Sequence, residues 1–146
     1  MDAILFSADP STVLVDDAIK HLAGHEEIYW AVPFPIVRGH FSYPMYGFIH
    51  MCGGQVEYRV SIRDIVPFSR DYHEDKAVAE RVKPEPWLRE WKENRKNVQA
   101  RPWKNELVIT EIVPFSYDTV SFQKCNGTKV QTPPQSYVRV RPPPHT

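Results

Sequence analysis

Two cysteines in 146 residues, Cys52 and Cys125, are too few for a disulfide framework, and no CxxC or Cys/His spacing suggests a zinc site. A reduced, cytoplasmic setting is the simpler expectation. No segment approaches the ~18–20 apolar residues needed to span a bilayer, and the start, MDAILFSADPST, has no basic leader region, so neither insertion nor secretion is expected. Glycine is scarce, six residues against fourteen prolines, which points to rigid loops joining short strands. The formal net charge is zero, which excludes a protein that coats nucleic acid by charge alone. No GxGxxG, P-loop, GxSxG or paired-carboxylate pattern occurs, so no nucleotide-loop or hydrolase chemistry is written in a motif.

What the chain does have is β-structure. From Gln55 onward Val56, Tyr58, Val60 and Ile62 alternate with Glu57, Arg59, Ser61 and Arg63, the period-two pattern of a strand with one wet face. Gly53 and Gly54 supply a turn back to an apolar strand over 45–51. Asp64-Ile-Val-Pro-Phe-Ser69 is echoed by Glu111-Ile-Val-Pro-Phe-Ser116, each ending an apolar run with a proline that cannot donate to a ladder. Further strands are expected over 3–6, 27–34, 106–114, 119–124 and 137–140, with Asn126-Gly127 as a hairpin turn. Helices are expected from a cap at Ser11 or Thr12 through Val15 and Ile19 to Leu22, ended by Gly24, and through 70–97, interrupted by Pro84 and Pro86 and restarting at Trp87. Length fits one domain, residues 1–141, followed by a proline-rich tail, 142–146.

The neutral balance hides a division. Residues 1–30 carry six acids and one base, whereas residues 81–104 carry eight bases against three acids. Placed on one face, those bases make a local phosphate-binding patch; dispersed, they make a solvated helix surface.

In their order, Tyr29-Trp30, the hairpin GFIHMCGGQVEYRVSI, tryptophan-bearing helical material before ELVITEIVPF, and the terminal PPQSYVRV resemble the PUA-like superfamily, in particular its EVE, YTH and ASCH group. The resemblance covers most of residues 27–141, and the chain departs from the plain pattern in its acidic N-terminal helix and its long 70–104 insertion. It implies an α+β fold, a mixed β-barrel of about six strands with helices inserted between them. It also implies a nucleic-acid-binding module of DNA or RNA that holds a flipped, modified base in an aromatic cage, working beside a nuclease or NTPase partner and needing no cofactor. The alternatives are an ASCH-like hydrolase of a modified nucleoside and a small protein-docking module.

A base pocket needs flat apolar walls, an edge hydrogen-bonding group and a basic rim. Trp30, Tyr29, Tyr46 and Trp103 are the wall candidates, His50 the edge candidate, and Arg101, Lys104, Arg95 and Lys96 the phosphate candidates. Stacking is worth about 1–3 kcal/mol per base and extrusion from a duplex costs a few, so two aromatic walls roughly offset it. Trp87 and Trp91, at i and i+4, share a helical face better suited to docking on the sheet. His21 and His25 have the same spacing, but no third metal ligand accompanies them. For a hydrolase, the lysine–carboxylate candidates are Lys104 with Glu106 or Glu111, with Lys124 near Thr128 as a further option.

Overall fold

The computed structural model describes residues 2–8, 15–52, 54–93, 103–130 and 137–146. The elements are β1 (Ala3–Ser7), α1 (Val15–Leu22), β2 (Ile28–Val32), β3 (Met45–Cys52), β4 (Gln55–Pro67), α2 (Asp71–Glu74), α3 (Lys76–Val82), α4 (Glu85–Glu93), β5 (Asn105–Asp118) and β6 (Tyr137–Val140). They form one mixed six-stranded sheet in the order β2-β5-β4-β3-β1-β6. All neighbours are antiparallel except β1 and β3, whose parallel pairing places Ser7 beside His50. That pair is joined through α1 and β2, since parallel strands need a crossover.

The β1 sequence AILF is apolar at every position because both its faces are covered. Ile4 and Phe6 enter one cluster with Trp30, Val60, Ile62, Leu107 and Ile109. Ala3 and Leu5 enter a second with Phe48, Val56, Phe122, Val130 and Val140. Gly47 of β3 sits opposite Val60 of β4, and a Cβ there would stand 2.8 Å from Val60 Cγ2 and 2.9 Å from Ile62 Cδ1. Only a residue without a side chain fits this approach.

The expected barrel is an open sheet instead. β2 and β6 are its two edges, and they are not hydrogen-bonded to each other. Phe34, just after β2, lies 5.5 Å from Tyr137 of β6, and Phe41 lies 6.3 Å from the same ring, so aromatic side chains fill the seam. The reason is local: Pro33 and Pro35 stop β2 after five residues, before it can pair further.

Prolines explain two more departures. Pro67 ends β4 as expected, but Pro114 lies inside β5, opposite Tyr58 and beside a register shift, where its missing N–H disturbs the ladder least. β5 therefore runs on to Asp118. The segment expected as a strand over 119–124 opens instead as a single 3-10 turn, Thr119–Ser121, because the Asp118 carboxylate caps the Val120 N–H. Two isolated bridges follow it: Gln123↔Lys129 about the Asn126-Gly127 turn, with Gly127 at φ 89°, and Lys124↔Val140 to β6. In the 70–97 region three short helices form. Asp75 caps α3 through Ala77 and Val78, and α4 begins at Glu85, two residues before Trp87, since Pro86 is tolerated in a first turn. Among the described residues no helix is long and apolar enough to cross a membrane.

Candidate nucleic-acid interface

The face of β3–β5 that carries the second cluster presents a row of half-buried aromatic rings. Alternation along β3 sends Tyr46, Phe48 and His50 to this side. Phe48 is wholly buried, whereas Tyr46, Phe115 and Tyr117 are half-buried and pack on the same cluster. Phe115 lies 5.4 Å from Phe48 and 6.2 Å from Tyr117, and those last two rings are tilted by only 25°. Tyr117 in turn meets Phe122 edge-on at 4.8 Å.

Arg59 belongs to this row. β4 pairs it with Phe48 on one side and Val113 on the other, and its guanidinium lies 4.6 Å over the Tyr46 ring. Its Nη2 donates to Glu111 Oε1 at 2.8 Å, and Ser61 Oγ donates to the same oxygen at 3.4 Å. At the other end of the row is a cleft of about 240 Å³, lined by Tyr117, Phe122, Ser121, Gln123, Arg141 and the proline segment 142–144. Its lining brings aromatic rings, a guanidinium and a carboxamide together. Flat rings, a cation stacked among them and a small cleft are the parts from which sequence-tolerant base stacking is built.

No family model matches the chain, and no curated protein matches it. Among solved structures the chain is similar to the crystal structure of an ASCH protein from Zymomonas mobilis, with TM-score 0.52 at 11% identity over 95% of this chain and 87% of that one. A tyrosine-to-phenylalanine mutant of the same Zymomonas mobilis protein gives 0.49 at 13% identity, over 95% and 90%.

The chain has an ASCH-type fold. The resemblance carried by the order of motifs agrees with this fold.

Within this ASCH-type domain the residues expected to form one pocket are dispersed. Trp30 is 3% exposed and sits in the first cluster, edge-on to Phe6 at 6.3 Å and to Trp87 at 5.7 Å. Tyr29 points from the opposite face of β2 and meets Tyr72 of α2 at 4.8 Å. Tyr46 and His50 share one face of β3. The His50 Nδ1 lies 3.4 Å from Ser7 Oγ, and its Nε2 is buried without a partner among the described residues. Trp103 is half-buried and Lys104 exposed just before β5, with the Lys104 N–H donating to Val32 O. Arg95, Lys96 and Arg101 lie outside the described residues. Phe115, Tyr117 and Arg59 were not singled out by sequence, although Arg59 is a plain member of the wet face of β4.

The lysine–carboxylate pairings are also different. Glu106 is bound by Lys83, whose Nζ donates to both oxygens at 3.1 and 2.9 Å, and both side chains are sealed from solvent. Glu111 is bound by Arg59, and the Lys124 N–H donates to Thr128 O. Burial pushes the His73 imidazole, stacked on Trp91 at 4.1 Å, down to about 3, with the Lys83 charge adding to the effect. His21 and His25 stack at 4.0 Å; His21 Nε2 donates to Arg81 O and His25 Nδ1 to His21 O. Among the described residues no group of three His, Cys, Asp or Glu is placed to hold a metal.

Proposed function

We propose that this protein is a nucleic-acid-binding module that takes a single strand of RNA or DNA across the β3–β5 face. Bases stack on Tyr46, Phe115 and Tyr117, and one base enters the cleft beside Arg141. The observation that carries this reading is the row of three half-buried rings outside the core with Arg59 stacked among them. The exposed parts of these rings can take bases, and a strand gains about 1–3 kcal/mol for each base it stacks. The ASCH-type fold agrees with this reading at the level of architecture.

The finer reading is that the base in the cleft is a modified one. A methyl group adds apolar contact with Tyr117 and Phe122, and Gln123 offers both a donor and an acceptor to a base edge. Lys83 and Glu106, the acid–base pair of the type a nucleoside hydrolase would need, are enclosed, which favours binding over turnover. A module of this kind confers specificity on a larger assembly, such as a nuclease or NTPase partner. The test is fluorescence anisotropy with labelled single-stranded and duplex oligonucleotides, unmodified or carrying one methylated base. Single-strand binding that Tyr117→Ala weakens in a folded protein supports the reading; equal binding by wild type and Tyr117→Ala removes it.

A further inference from the structure

The guanidinium of Arg59 is only partly used. Its Nη2 donates to Glu111, but its Nε is buried with no acceptor among the described residues. Nε and Nη2 form one edge of the planar fork, the edge that matches two oxygens of a single oxyanion. Glu111 thus satisfies one of the two donors of that edge. The orphaned N–H is costly where it stands, because a buried unpaired donor loses its hydration without compensation.

The two partners differ in how firmly they are held. The Arg59 side chain is 17% exposed and lies on the Tyr46 ring, whereas that of Glu111 is 53% exposed. A carboxylate so exposed can swing into water at small cost, since exposed ion pairs contribute little. The guanidinium stays in place on the Tyr46 ring, with its Nη2 released.

We propose that the Nε–Nη2 edge of Arg59 is a phosphodiester site and that Glu111 is its internal stand-in, displaced when a strand binds. A phosphate accepts from both donors where Glu111 accepts from one, so the exchange repairs the unpaired Nε. The exchange also gives the face selectivity: a weak or single anion does not displace Glu111, and a strand whose bases stack on Tyr46 and Phe115 does. This inference rests on the strand-binding reading above and specifies where its backbone is held.

The experiment is anisotropy of a labelled oligouridylate with the full chain at several salt concentrations, for wild type, Glu111→Gln, Arg59→Gln and the double variant. Glu111→Gln is expected to tighten binding by about twofold to fivefold, the worth of an exposed ion pair. Arg59→Gln should flatten the logarithmic salt dependence by up to ~0.7, the increment for one lost single-strand phosphate contact. Arg59→Gln is expected to weaken binding and to abolish the gain from Glu111→Gln. The same gain in the Arg59→Gln background overturns the proposal, because it would reflect only a lost negative charge. Wild-type binding with no gain in Glu111→Gln removes the phosphate site alone. Absence of binding by every protein removes the strand-binding reading with it, and binding that appears only in Glu111→Gln supports a complete block. Urea denaturation of each variant establishes that the chains compared are folded.

Discussion

Lys83 and Glu106 meet in the interior, the ammonium 2.9 and 3.1 Å from the two carboxylate oxygens, with neither side chain reaching solvent. Burial pushes the lysine pKa down and the carboxyl pKa up, and each partner's charge opposes the shift of the other. Such a pair fixes where the α3–α4 junction sits on β5 more than it adds net stability. Glu106→Gln, which leaves the ammonium facing a neutral group, is expected to cost about 3–5 kcal/mol in urea unfolding. The double replacement Lys83→Met with Glu106→Leu is expected to recover most of that loss.

His73 makes stability fall on the acid side. Its ordinary value of 6.5 is lowered to about 3 by burial and by Lys83, so between these values the unfolded chain takes up a proton that the folded chain refuses. The stabilisation is complete above about pH 6.5 and is lost as pH falls toward about 3, by roughly 1.4 kcal/mol per pH unit. His73→Phe keeps a ring against Trp91 and removes the titration. Its midpoint of unfolding should change less between pH 6 and pH 4.5 than that of the wild type, and parallel curves would refute this (~1.4 kcal/mol per unit being the term removed).

Gly47→Ala is a test of the close packing of β3 against the Val60 and Ile62 side chains of β4. The new Cβ would fall inside contact distance of Val60 and Ile62, and Val60 is a stiff β-branched residue of the core. A loss of about 1–3 kcal/mol is expected from overpacking, measured by thermal or urea unfolding.

Much of this architecture is legible in the chain because alternation is local. Val56, Val60 and Ile62 announce β4, and Gly54 with φ 77° and Gly127 at 89° stand where tight turns were read. The edges are not legible in the same way, since whether Pro33 and Pro35 leave β2 too short to close a barrel depends on what lies across the gap. The site is less legible still. A strand's period says that Tyr29 and Trp30 face opposite ways, but not which face is core, and in β2 Trp30 takes the core. Tyr46 and His50 were singled out and do share a face. Phe115 and Tyr117 were passed over because Pro114 looked like the end of a strand that in fact continues. Lys83, followed by a proline in a basic stretch, reads as a surface residue until Glu106 is seen beneath it.

The most direct measurement is single-strand oligonucleotide affinity and urea stability side by side for Tyr46→Ala, Tyr117→Ala and Trp30→Ala. The account predicts that the two tyrosine variants each lose about 1–3 kcal/mol of binding while remaining folded. Trp30→Ala should lose about 3–5 kcal/mol of stability, as a core tryptophan does. Tyrosine variants that bind as tightly as wild type, or a well-folded Trp30→Ala that has lost binding, would contradict it and return the site to the interior of the sheet.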